Sequence, residues 1–158
     1  MMTPAQRKAA ALSLATALAV PAEGLRQWAY RDPVGIPTIC FGSTAGVTMG
    51  DFRTVPECKA LLTKDMLYAI QAVESCRPGL PINVLAAFSD SVYNLGPTIA
   101  CNKAESAAAR LLAAGDYTAA CNQLPRWNKG RVLGVLVPLP GLTKRREMER
   151  DVCLAEVK

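Results

Sequence analysis

The chain has 158 residues, about half of them hydrophobic, which is enough for one domain with a real core and excludes a disordered tail. Lysine and arginine number 18 against 13 acids, for a net charge of +5, so an anionic partner such as an acidic cell-wall polymer or an anionic membrane is favoured. There is no histidine, which rules out a Ser-His-Asp or Cys-His hydrolase and any zinc site that needs an imidazole. Thr3 and Pro4 make a helix start, followed by fourteen uncharged residues from Ala9 to Ala22, with Pro21 as a stop or kink. Residues 1–22 therefore form an N-terminal apolar helix. The run is short for a membrane span, which needs about 20 apolar residues, yet it has the basic start and apolar middle of an export signal.

Tyr30 to Gly50 is rich in glycine and proline, with the β-prone run Thr38-Ile39-Cys40-Phe41 among them. It predicts a small twisted hairpin or three-stranded sheet. Beyond it the pattern is helical. Thr54 to Glu57 is a capping box that opens a helix to about Ser75. Asn83 is expected to cap a second helix, with Leu85, Phe88, Val92 and Leu95 on one face and Gly96-Pro97 at its end. Asn102 with Glu105 is expected to open a third helix, closed by Gly115. Asp116 opens a short fourth before Pro125. A loop from Arg126 to Gly141 then leads to a last helix around Lys144 to Glu156. The fold class is α+β, a small hairpin lobe followed by a helical lobe.

The six cysteines, Cys40, Cys58, Cys76, Cys101, Cys121 and Cys153, contain no CxxC pair. An even, widely spaced set reads as three disulfides in an oxidising compartment rather than a zinc site. Pairing in sequence order joins neighbouring elements: Cys40–Cys58, Cys76–Cys101 and Cys121–Cys153. No metal or cofactor is expected. The basic residues are scattered until Lys144-Arg145-Arg146, with no stripe of alternating bases and aromatics, so nucleic acid is not the expected partner.

Glu23 closes the first helical segment, Asp32 sits in the turn-like Arg-Asp-Pro, and Thr38 begins a returning strand. A hairpin folds back on itself, so Asp32 and Thr38 can face Glu23 across a groove. Cleaving a glycosidic bond needs one protonated carboxyl and a second carboxylate, with no call for histidine. A threonine hydroxyl can hold a water without ionising. Acids nine residues apart are common, and spacing alone also suits a solvated glutamate and a turn-forming aspartate.

The pattern E-G-L-x4-Y-x-D-x2-G-x2-T-I-x2-G from Glu23 resembles the active-site segment of the phage-type lysozymes, the endolysins of tailed phages. Further matches follow in the same order: Glu57-Cys58-Lys59-Ala60-Leu61-Leu62, Tyr93-Asn94-Leu95-Gly96, Ala114-Gly115-Asp116-Tyr117, Arg126-Trp127 and Pro140-Gly141-Leu142 through Arg145-Arg146-Glu147. The resemblance implies a lysozyme-like fold, with residues 23–158 as catalytic domain. It implies hydrolysis of the β-1,4 bond between N-acetylmuramic acid and N-acetylglucosamine in bacterial peptidoglycan. Glu23 matches the general acid, Asp32 the second carboxylate and Thr38 the water-positioning residue. Asn94, Arg145 and Arg146 match substrate-binding positions, one arginine also pairing with the glutamate. Trp127 is expected in the core rather than under a sugar. Where many relatives read Gly-His, this chain has Gly42-Ser43, which puts the local packing and pH response in question.

The N-terminal run resembles the signal-arrest-release segment of some phage endolysins, which implies export to the host periplasm after transient inner-membrane association through residues 4–22. Val20-Pro21-Ala22 also looks like a signal-peptidase site. A monomer is expected. A lytic transglycosylase on the same fold, or a catalytically silent wall-binding module, are the alternatives. A product with a 1,6-anhydro end would mark the first, and loss of an acid the second; Glu23, Asp32 and Thr38 all stand.

Overall fold

A computed structural model describes residues 1–155. Helix α1 runs Pro4–Glu23, capped by a reciprocal box in which Thr3 Oγ1 accepts from Gln6 N while Gln6 Oε1 accepts from Thr3 N. Pro21 does not stop it. The helix continues to Glu23 and ends where Gly24 takes a positive φ. Ala11, Ala15, Leu18 and Ala19 are buried, so a row of mostly small side chains lets α1 lie against the helical core. Among the described residues no helix is long and apolar enough to cross a membrane.

The small lobe begins earlier than expected. Strand β1, Arg26–Arg31, pairs antiparallel with β2, Pro37–Cys40. Isolated bridges Trp28↔Phe52 and Ile39↔Ser43 extend the pairing on either side of it. Helix α2, Val55–Cys76, opens on the expected capping box: Thr54 N donates to Glu57 Oε1 and Glu57 N to Thr54 Oγ1. The amide and hydroxyl of Thr54 hold the Glu57 carboxyl below its ordinary range.

Helix α3, Ile82–Leu95, is the central helix, buried along most of its length. Its cap position is Pro81, not Asn83. Asn83 lies inside the first turn, and its Nδ2 donates to Val152 O of the last helix at 3.1 Å. A tertiary partner has taken the side chain that local preference would place at a cap. Gly96 and Pro97 end α3 as expected, and the short α4, Thr98–Cys101, follows. Asn102 does not open the next helix: its Oδ1 accepts from Ala104 N and Glu105 N, an Asx turn. Ser106 caps α5, Ala107–Ala114, and Gly115 in the left-handed region closes it. Asp116 caps α6, Tyr117–Cys121.

The expected loop from Arg126 to Gly141 is a second hairpin. After a 3₁₀ turn at Leu124–Arg126, strand β3, Lys129–Val132, pairs in unbroken register with β4, Val135–Pro138. Helix α7, Pro140–Leu154, starts four residues before Lys144, because Pro140 suits a first helical turn. Glu156, the expected end, lies outside the described residues.

All three disulfides pair in sequence order: Cys40–Cys58 joins β2 to α2, Cys76–Cys101 joins α2 to α4, and Cys121–Cys153 joins α6 to α7. One hydrophobic cluster runs from α1 through α2 and α3 to α7, and it includes Ile39 and Phe41 of the small lobe. The lobes are therefore one folded unit, with a groove between them. Trp127 packs against that cluster.

Candidate active site

The groove has a volume of about 580 Å³ and is lined by Glu23, Tyr30, Asp32, Thr38, Asp65, Tyr68, Tyr93 and Asn94, among others. Glu23 arrives on the last turn of α1. Asp32 comes from the turn of the β1–β2 hairpin and Thr38 from its returning strand, where Tyr30 and Thr38 are register partners. The hairpin thus brings to one opening three residues that the sequence spreads over sixteen positions.

Each is held differently. Asp32 Oδ1 accepts from Val34 N and Ile36 N, both at 2.9 Å, so the turn itself fixes the carboxylate. Thr38 is almost wholly buried, and its Oγ1 donates to Ile36 O. Glu23 is gripped from beneath by Arg145, whose Nη1 donates to Glu23 Oε1 at 2.5 Å. The same guanidinium is bidentate to Asp90, with Nε to Oδ2 at 3.0 Å and Nη2 to Oδ1 at 2.8 Å. Burial disfavours the Arg145 cation, but hydrogen bonds and charge from Asp90 and Glu23 more than offset it and raise its pKa.

Arg146 takes no part in the groove. It is fully buried and faces Glu149, also fully buried, at 2.6 and 2.7 Å. The expectation that both arginines contact substrate is therefore corrected. Arg145 lies below the groove, behind Glu23, and Arg146 belongs to the interior. Burial, reinforced by neighbouring Asp90, pushes the Glu149 carboxyl well above its usual range, against the pull of Arg146. Three carboxyl groups and two guanidiniums share this cluster.

Asn94 does line the groove, and its Oδ1 is buried without a hydrogen-bond partner among the described residues. Ser43 donates to Asp65 Oδ2 at 2.6 Å, so this hydroxyl fixes a groove carboxylate. Tyr93 donates to Phe41 O at 2.6 Å, tying α3 to the small lobe. Burial, then the Glu23 and Asp65 carboxylates, drive its hydroxyl pKa up, so it stays protonated. Asp65, Tyr68 and Asp90 were not anticipated. Of these only Asp90 leaves a trace in the sequence, as the one acid in the otherwise uncharged helix Ile82–Leu95.

A groove lined with carboxylates between a small hairpin lobe and a helical lobe is the arrangement of a lysozyme-like glycoside hydrolase. The description is matched by sequence: a model of the phage lysozyme family covers residues 21–149, and the chain belongs to that family. It is a peptidoglycan-lysing hydrolase of the endolysin type. It is 37% identical over 148 residues to the SAR-endolysin of Pseudomonas phage phiKMV, covering 93% of this chain and 90% of that one. Its fold is similar to the crystal structure of the active form of P1 phage endolysin Lyz, with a TM-score of 0.80 at 30% identity, covering 92% and 85% of the two chains. Similarity to the secreted inactive form of that endolysin is lower, with a TM-score of 0.59 at 26% identity, covering 94% and 96%.

Gly42 provides a test of the geometry. A Cβ there would meet Glu23 Oε2 at 3.0 Å, and the φ of +95° resists any side chain. Gly46, at φ +67°, faces open space. Both Gly42→Ala and Gly46→Ala are expected to lower the Tm, since alanine is strained at positive φ. Only Gly42→Ala should also cut the rate of murein lysis, on the order of 10- to 100-fold, because it displaces the glutamate. Equal lysis by the two variants, assayed well below their Tm, would contradict this placement.

Proposed function

We propose that this chain cleaves the β-1,4 bond between N-acetylmuramic acid and N-acetylglucosamine, with Glu23 as general acid, Asp32 as second carboxylate and Thr38 holding the attacking water. What supports this most directly is that the three line one open groove while Glu23 is held from behind by a charged arginine. Glu23 protonates the leaving glycosidic oxygen as the bond lengthens. Asp32, anchored by two backbone amides, stabilises positive charge at the anomeric centre or takes the proton of the water. Thr38 donates to Ile36 O and keeps its lone pairs for a water. Asn94 lines the groove, where a side-chain amide suits the N-acetyl group of a sugar.

Asp90 and Glu23 share the Arg145 guanidinium, Asp90 taking two of its hydrogen bonds and Glu23 one. Asp90→Asn leaves that buried cation short of opposite charge, so a stability loss of ~3–5 kcal/mol is expected, read as a lower Tm. An unchanged Tm in Asp90→Asn would remove this role.

For the mechanism itself the decisive variant is Glu23→Gln, measured by turbidity loss of purified murein sacculi. The amide keeps the shape and cannot donate the proton. A loss of on the order of 10²–10⁴-fold is expected with folding intact. Retention of a third of wild-type lysis would sink the assignment, and a 1,6-anhydro end in the wild-type product would point to a transglycosylase.

The same chain, on this reading, is exported and first held at the host inner membrane by residues 4–22. The name SAR-endolysin carried by its relatives supports this, as does the uncharged run Ala9–Ala22, short enough to be only marginally stable in a bilayer. The assembled groove, with α1 packed and Glu23 in place, suits the released state, in keeping with the greater likeness to an active form than to a secreted inactive one. Fractionation of expressing cells with N-terminal sequencing should find an uncleaved chain in both inner-membrane and periplasmic fractions. A wholly cytosolic chain with reduced cysteines would end the idea.

A further inference from the structure

The β3–β4 hairpin has no part in the groove chemistry. Its base is fixed: Leu139 N donates to Asn128 O, Asn128 Nδ2 donates to Thr143 Oγ1, and a Cβ on Gly130 would meet Leu139 Cδ1 at 2.5 Å. Its far end stands in solvent. Leu133 at the tip is 99% exposed, and Val132, Val135 and Leu136 beside it are 46%, 61% and 53% exposed. Four neighbouring apolar side chains are thus left uncovered at the far end of the hairpin.

The tip is also strained. Leu133 and Gly134 form the two-residue turn, with φ of +50° and +80°. Such turns favour asparagine, aspartate or glycine at the first position, and leucine rarely enters the left-handed region. Leucine here works against both the backbone and the solvent. A residue that breaks two local rules at one place is where a functional constraint is to be sought.

Charge identifies what covers it. Lys129 and Arg131 are exposed on β3, Arg126 just before it and Lys144 just after it, and no acid occurs between Asp116 and Glu147. Arg131 folds over the turn, with Nη1 donating to Gly134 O. A second copy of this chain would bring like charges together, and a glycan strand offers no apolar depth for Leu133. An anionic phospholipid surface offers acyl chains for the tip and phosphates for the cations around it. In the folded chain α1 has turned Ala11, Ala15, Leu18 and Ala19 into the core, so docking by this hairpin is separate from any insertion of α1. We propose that the β3–β4 hairpin is a membrane-docking element that inserts Leu133 with its apolar neighbours into an anionic phospholipid surface.

Co-sedimentation of the folded full chain with unilamellar vesicles tests this, using phosphatidylglycerol mixed with phosphatidylethanolamine, and phosphatidylcholine alone. Wild type should bind the anionic vesicles and bind phosphatidylcholine much more weakly. Leu133→Asn should lower affinity for the anionic vesicles on the order of tenfold or more, the effect of withdrawing one large apolar side chain from burial. Its Tm should hold or rise, because asparagine suits the left-handed turn, so lost binding cannot be laid to misfolding. Lys129→Gln should give a smaller loss that vanishes at high salt. The proposal fails if Leu133→Asn binds the anionic vesicles as wild type does, which would place any attraction elsewhere, α1 included. It fails equally if wild type does not bind them, binds phosphatidylcholine as well, or forms dimers in sedimentation velocity that Leu133→Asn dissolves.

Discussion

Arg145 is the interaction on which the architecture turns. A guanidinium taken out of water is tolerated only when its hydrogen bonds are met by fixed opposite charge. Here Asp90 of α3 and Glu23 of α1 meet them from two directions. The arginine itself sits on α7, which is bound to α6 by Cys121–Cys153 and to α3 through the bond from Asn83 to Val152. Three helices remote in sequence are therefore locked at the point where Glu23 emerges. The relative positions of α1, α3 and α7 and the position of Glu23 are set by the same contacts.

On the opposite side of the groove the control is mostly backbone. Asp32 is fastened by amides within its own turn, Thr38 by strand register, and Asp65 by the neighbouring hydroxyl of Ser43. The Cys40–Cys58 bridge and the bond from Tyr93 to Phe41 hold that lobe to the helices. The helical side holds its groove residue through a buried ionic cluster, and the hairpin side holds its own through backbone and hydroxyl contacts.

The placement of α1 joins the fold to the export reading. Its alanine-rich face packs because small side chains let helices approach closely, while the same composition keeps the segment weakly apolar. Residues that can rest briefly in a bilayer and also fill a protein core must be poor at the first task. The helix ends on Glu23 itself, so the segment proposed to tether the chain is also the one that delivers the acid to the groove.

Much was legible in the chain alone. The capping residues Thr3, Thr54 and Asp116 and the closing glycines at 96 and 115 are local matters, and local chemistry decides them; the disulfides follow the expected order, but the packing of whole elements is what brings each pair together. The trio Glu23, Asp32 and Thr38, which does share one groove, was legible through the resemblance to the phage-type lysozymes, since spacing alone suits a solvated glutamate and a turn-forming aspartate equally well. Asn83 and Asn102 carry the right chemistry for a cap, yet a long-range bond claims the first and an Asx turn the second. The β3–β4 hairpin passed unseen because Leu133-Gly134 is a poor turn sequence. That Arg145 reaches Glu23 while its neighbour Arg146 is sealed against Glu149 could not be read from adjacent identical residues. Their directions differ by about 100° around a helix, and only the packing of α7 against α1 and α3 decides which one meets the groove.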